Sequence, residues 1–331
     1  MAVSSARAAC TPTGFVRDGI NMTAALINPV SVPSPLNATG CNIGVYYDTG
    51  VATLTQVDIY GANYFGVVVN ADVNPVVVHV SGNAIHNIGE VPFDGAQHGV
   101  GIYLRAFFTS TITGEVVANL VTAYQKGGIV ANGKGVRLTN LDSNQVIGIG
   151  HVDFIAQNGI QIAYGARPAQ VKSNLVTANS FIGTPGDGSS SGGILVVGGP
   201  GYGMCPDGLD CPYTTNLVIS TNRVFNNDVG VYLSNVQADF SPPPTPTLNV
   251  AVATLLGDDR CYNQSYQAGI SDQGHTDFIL FNYILQGGGY GPTCGPNIDV
   301  TGSTNPQVFG NVPNGTTSTA SVTRRIVPIE P

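Results

Sequence analysis

Charge is scarce in this chain. Only 10% of the 331 residues are Asp, Glu, Lys or Arg, where roughly 25% is typical. An amphipathic helix bundle needs those residues on its solvent face, so that architecture is excluded. Tryptophan is missing altogether. No run of roughly 18–20 apolar residues occurs, so no membrane helix is expected. Cations are the rarer sign: 12 Lys and Arg stand against 20 Asp and Glu, for a net charge of −8 and a pI near 4.8. Nucleic-acid binding draws on cationic phosphate contacts and is not expected either. What is abundant is glycine, 43 residues, nearly twice the usual share of about 7%. With 21 prolines and 43% hydrophobic residues, the composition describes a β protein rich in turns and too apolar for disorder.

The six cysteines stand as Cys10 and Cys41, Cys205 and Cys211, and Cys261 and Cys294. None forms a C-x-x-C or lies at zinc spacing from a histidine, so no metal or other cofactor is expected. Six cysteines allow 15 connectivities, and the local pairs close loops. The even count points to an oxidising compartment. No n-region and h-region precede residue 10, and Ala6-Arg7-Ala8 looks like the end of a cleavage site. The expectation is a mature secreted chain.

The chain repeats. A glycine followed by Ile or Val opens eight units, at Gly44, Gly66, Gly101, Gly128, Gly159, Gly193, Gly230 and Gly269. Successive glycines lie 22, 35, 27, 31, 34, 37 and 39 residues apart, too loose for leucine-rich or ankyrin repeats. A second column sets Asn two places before Ile or Val, at Asn83, Asn119, Asn144, Asn174, Asn222 and Asn282. Asn tolerates the left-handed conformation of a tight turn, and stacked amides can bond between coils. Alternating stretches such as Val76-Val77-Val78-His79-Val80 precede each Asn, so a coil holds about three short strands.

These two columns resemble the right-handed parallel β-helix repeat proteins, the superfamily of pectate lyases and polygalacturonases. The resemblance covers roughly residues 41–302 and implies an all-β solenoid of about eight coils. Residues 1–40 would form an N-terminal segment and cap, and 303–331 a C-terminal tail. The residues after each glycine should stack inward as one buried column, Val67, Ile102, Ile129, Ile160, Ile194, Val231 and Ile270.

The outward face of the first strand is the usual active surface of that superfamily. Its outward positions here are Tyr46, Val68, Tyr103, Val130, Gln161, Leu195, Tyr232 and Ser271. The densest cationic and aromatic cluster is Tyr103, Arg105, His98 and Lys126. On an acidic polysaccharide Arg105 would neutralise a uronate carboxylate, Lys126 or His98 would move the adjacent proton, and Tyr103 would stack on the ring. Gln157, Gln161, His151 and Asp153 would line the same groove as substrate-binding residues. A third set, Asp272, Gln273, His275 and Asp277, includes an acid that breaks the inward column, expected where the rod opens to water.

Departures from the enzyme families are plain. Polygalacturonase-like hydrolases carry Asn-Thr-Asp, Asp-Asp and Gly-His-Gly; the sole Asp-Asp here is Asp258-Asp259, and Gly274-His275-Thr276 is a poor match for the third. The Asp cluster that holds calcium in pectate lyases is missing from the first-strand column. No column repeats Thr-x-Thr, as ice binding would require. Two classes stay open: a secreted protein acting on or binding a polysaccharide or cell-surface glycan as lyase or epimerase, and a non-catalytic surface, matrix or adhesin-type solenoid.

Overall fold

The computed structural model describes residues 8–184, 188–257, 262–285, 295–313 and 325–331. Among them three long sheets hold nearly all the regular structure. The first has eleven strands, the second and third nine each. The chain visits them in turn: Ile43–Tyr47 in the first, Gly50–Thr55 in the second, Asp58–Tyr60 in the third, then Phe65–Asn70 back in the first. Each strand pairs in parallel with its equivalent one circuit on, as Val100–Arg105 does with Phe65–Asn70 and Gly127–Asn132. This is an all-β, parallel, solenoid-like fold. The exception within the first sheet is its opening hairpin, Thr11–Arg17 against Ile20–Ile27, which pairs antiparallel. The parallel ladders continue past residue 302, through Gln307–Phe309 in the second sheet and a bridge from Tyr283 to Val312. Helix is confined, among the described residues, to one short 3-10 turn, Pro200–Tyr202, so no helix there could cross a membrane.

The inward column is as expected. Val45, Val67, Ile102, Ile129, Ile160, Ile194, Val231, Ile270 and Ile298 stand in register, one per circuit. All are fully buried in one continuous core. Each such side chain contributes roughly 1.5–3 kcal/mol of hydrophobic stabilisation.

The repeated glycines answer to crowding rather than to backbone conformation, since none of the eight adopts positive φ. A Cβ on any of them would lie 2.5–2.7 Å from the backbone oxygen one circuit on. It would also meet, at 2.2–3.2 Å, a side chain of the third sheet: Ile59, Ile85, Val121, Val146, Val176, Val224, Leu256 or Ile284. Six of these are the apolar residues of the Asn-x-Ile/Val column. The two sequence repeats are therefore the two sides of one contact, in which a branched side chain fills the space that glycine leaves.

The asparagines form a buried ladder. Asn83, Asn119, Asn144 and Asn174 each donate both the backbone N–H and Nδ2 to the Oδ1 of the next, ending on Asn222, at 2.9–3.1 Å. The ladder resumes from Asn282 to Asn311, with Thr254 donating its backbone N–H to Asn282 where the sequence lacks an Asn. The left-handed turn residue, however, is not Asn. It is the residue before it: Gly82, Ala118, Ser143, Ser173, Thr221, Ala253, Phe281 and Gly310 all have φ between 48° and 67°. A non-glycine residue there costs about 1 kcal/mol or more, and the amide bonds of its neighbour offset it.

Two of the expected disulfides are present, Cys10–Cys41 and Cys205–Cys211. Cys261 and Cys294 lie outside the described residues.

Candidate functional site

The outward side chains of the first sheet are not open to solvent. Tyr46, Val68, Tyr103, Val130, Gln161, Leu195, Tyr232 and Ser271 are all 2% exposed or less. Several segments roof them. Phe15 of the opening hairpin stacks on Tyr46, ring centroids 6.2 Å apart. Ile329 joins Phe65, Tyr103 and Val130 in one apolar cluster, and Ile326 joins Tyr164, Leu195 and Tyr232 in another with Cys205 and Cys211. Tyr266 closes the far end, donating its hydroxyl to Asp299 Oδ2 at 2.7 Å with Ser271 Oγ 3.0 Å away. A second apolar layer thus sits outside the solenoid, against the face expected to be the groove.

Residues 325–331 lie along this face, held mostly through their main chain. Arg325–Ile326 pairs in parallel with Ser189–Ser190. Asn158 Nδ2 donates to the Val327 carbonyl at 3.0 Å. Gln161 grips Ile329 on both sides: its Nε2 donates to the Ile329 carbonyl at 2.9 Å and its Oε1 accepts the Ile329 N–H at 2.8 Å. Asn132 Nδ2 and the Tyr164 hydroxyl donate to the same stretch. Arg17 Nη1 donates to the carbonyls of Glu330 and Pro331 at 3.1 and 2.7 Å. Gln161, expected to bind substrate, binds a peptide of the same chain.

The proposed catalytic groups are engaged elsewhere. Arg105 Nε donates to Asp72 Oδ2 at 2.6 Å, both side chains only 11% exposed. The guanidinium also lies over the rings of Phe107 and Phe15, 4.9 and 5.6 Å from their centroids. Asp72 is held in turn by the Phe107 N–H. Tyr103 is buried against Phe65, at 5.0 Å. Lys126 is fully buried, its Nζ donating to the Ala156 carbonyl at 2.8 Å, and burial lowers its pKa to about 7. Gln157 is buried and donates to the Tyr124 and Gln125 carbonyls. His98 pairs with Glu90 at 2.8 Å and stacks on Tyr64.

The strands also separate the two cations. Arg105 stands opposite Asn132, while Gly127, the residue after Lys126, stands opposite Val100. Arg105 and Lys126 thus occupy opposite ends of neighbouring strands, on the order of 20 Å apart at about 3.3 Å per residue. One sugar ring cannot span that. The repeat places the two cations on neighbouring coils, but their offset from the glycine puts them at opposite ends of the strand. The Asp72 partner also had a signal, an acid two residues past Asn70, which faces Arg105 one circuit away.

Two further clusters are structural in geometry. His151 Nδ1 meets Ser180 Oγ at 2.8 Å, and Ser180 Oγ donates to Asp228 at 2.7 Å. The residue types are those of a hydrolytic triad, but here the serine bridges the histidine and the acid, whereas a triad sets the acid on the histidine. Ser180 is fully buried, and Asp228 also accepts the Ser191 N–H and Asn263 Nδ2. Asp153 is exposed nearby. Asp272, expected where the rod opens to water, is instead fully buried with Asp277. Asp272 accepts the Gly274 N–H at 2.8 Å; Asp277 accepts from Thr247 Oγ1 and the Asn249 N–H. Burial, and then the charge of Asp277, push Asp272 up to about 8.

That shift has a sign for stability. The unfolded carboxyl titrates near about 3.9, so between that value and about 8 the folded chain keeps a proton that the unfolded chain has lost. Stability from this group is therefore full below about pH 4, falls as pH rises from there, and is lost by about 8. The melting temperature of the wild type should drop, relative to Asp272→Asn, between about pH 5 and pH 9. Lys126, present in both, cancels from that difference. Parallel melting curves would rule the buried proton out.

Among the described residues no three His, Cys, Asp or Glu converge as a metal site. Comparison of the chain with protein-family models, with curated proteins and with solved structures returns no match.

Proposed function

We propose that this chain is a non-catalytic extracellular solenoid, a surface, matrix or adhesin-type scaffold, rather than a lyase or epimerase of acidic glycans. The observation that carries the reading is the roof over the first sheet. A polysaccharide groove there would need an open face and two outward cations within a sugar length. The face is covered, Arg105 is bound to Asp72, and Lys126 is buried some way along the strand. Two disulfides support an oxidising, extracellular setting. The low charge and doubled apolar layer suit a rigid rod that displays loops.

The test is direct. Incubated with a panel of uronate polymers, the purified chain should produce no ultraviolet absorbance from unsaturated ends. A steady rise in absorbance that Arg105→Ala abolishes would overturn the reading in favour of a lyase.

A further inference from the structure

We propose that the covered face of the first sheet is a peptide-acceptor groove, and that residues 325–331 of a second copy of this chain can occupy it in place of the chain's own. The proposal is independent of the non-catalytic reading above, since it concerns what the groove recognises rather than what the rod does.

The recognition is built as peptide recognition is built elsewhere, with main-chain bonds for affinity and side-chain pockets for selectivity. Gln161 reads both the N–H and the carbonyl of one residue, Ile329, a bidentate amide-to-peptide pair. Asn158 takes the carbonyl two residues earlier, at Val327. Residues 325–326 add a short strand beside Ser189–Ser190. Two apolar pockets accept Ile326 and Ile329, which are only 7% and 2% exposed. Arg17, from the opposite end of the chain, fastens the carbonyls of residues 330 and 331. The occupant that fits is an extended peptide with isoleucines three residues apart, and this chain carries one.

The segment is separated in sequence from the last described bridge of the solenoid, at Val312. Residues 314–324 connect them, and a fully extended stretch of that length spans up to about 40 Å. The same contacts can be made to a neighbouring copy with none lost, which is the condition for exchange of an identical element between protomers. Covalent connection makes the chain's own segment an intramolecular competitor that a dilute second copy does not match. Dilute chains therefore stay closed on themselves, and exchange between copies emerges where copies are crowded together or the tether is cut.

The experiment uses the whole chain, folded with its segment in place. A protease site is inserted between residues 318 and 319, the chain is cut after folding, and the heptapeptide of residues 325–331, fluorescently labelled, is added. Incorporation is followed by anisotropy and gel filtration. The labelled peptide should enter the cut chain, be displaced by unlabelled peptide, and be ignored by the uncut chain at the same dilute concentration. Gln161→Ala should weaken its binding at least about tenfold, from two lost hydrogen bonds. A peptide carrying Ile329→Asp should not bind. Separately, uncut chain concentrated to the millimolar range should show dimer by light scattering, and deletion of residues 325–331 should abolish that dimer. If the cut segment never exchanges over days, it is a fixed part of the core and the proposal fails. It fails equally if the segment leaves and labelled peptide at millimolar concentration does not replace it, or if the dimer survives the deletion. None of these outcomes touches the uronate assay, so the two readings stand or fall separately.

Discussion

Replacing Ile160 with aspartate should cost on the order of 5 kcal/mol or more and remove most of the soluble, folded chain. Ile160 lies at the centre of the inward column, between Ile129 and Ile194 one circuit to either side. It is fully buried in a core of branched aliphatic residues. A carboxylate there meets no cation among the described residues: of the first-sheet arginines, Arg105 is bound to Asp72 on the outward side and Arg17 to the carbonyls of residues 330 and 331. Nor is there slack for the backbone to turn the residue outward, because a Cβ at the preceding glycine, Gly159, would already lie 2.3 Å from Val176. Ile160→Val, which keeps the shape, should cost only about 0.5–1.5 kcal/mol. The two variants are compared by urea midpoint and soluble yield. Equal stability of the Asp variant would mean that the column does not form the core.

Removing one rung of the asparagine ladder should be the next most damaging single change. In Asn144→Ala the backbone N–H of Asn119 loses its acceptor, as does one N–H of the Asn119 amide. The Val116 carbonyl loses the donor supplied by Asn144 Nδ2. Each buried group left unpaired costs about 1–3 kcal/mol, so the variant should lose about 3–5 kcal/mol and melt well below the wild type. Asn144→Asp offers a contrast: it keeps an acceptor for Asn119, but its side chain cannot donate to Val116 or Asn174 and it buries a charge. It should be at least as unstable at neutral pH and recover partly in acid. A calorimetric scan of both variants at two pH values checks this, and an alanine variant that melts with the wild type would sink the account.

How much of this was legible from the residues depended on which side of the strand carried the pattern. The inward side was readable because its constraint is repeated and local: glycine where Val121 or Val146 must approach, Ile or Val beside it, Asn where a turn meets the next coil. Even there the reading of Asn was partial. Asn tolerates a left-handed turn, yet the strained φ falls on the preceding residue, such as Ser143 or Ser173. The disulfides followed from loop-closing spacing, and two of the three pairs are visible. The outward side misled because a parallel sheet brings residues together from distant segments. Val68, Val130 and Leu195 at outward positions were themselves a sign of a covered face, since an open groove has no use for three aliphatic side chains. Ile326 and Ile329, in a short apolar run after a polar stretch, were the matching half. Neither half is periodic, so neither stands out until both are placed. The same holds for Arg105 and Lys126, neighbours in coil number but not along the strand.

The asparagine ladder also gives the rod a direction and a unit of length. From Asn83 to Asn174 every rung hands two donors forward, and from Asn119 to Asn222 every rung receives two from behind, so each of these four seams is chemically the same as the next. A stretch running from one rung to its successor is in that sense a cassette. Cut out or duplicated whole, it leaves matching donors and acceptors on both sides of the splice, together with the glycine and the branched residue that fill one another's space. Such a molecule can change its length by whole steps while keeping its inward bonding pattern, and the drifting intervals between glycines show how freely the connecting loops can vary while it does so.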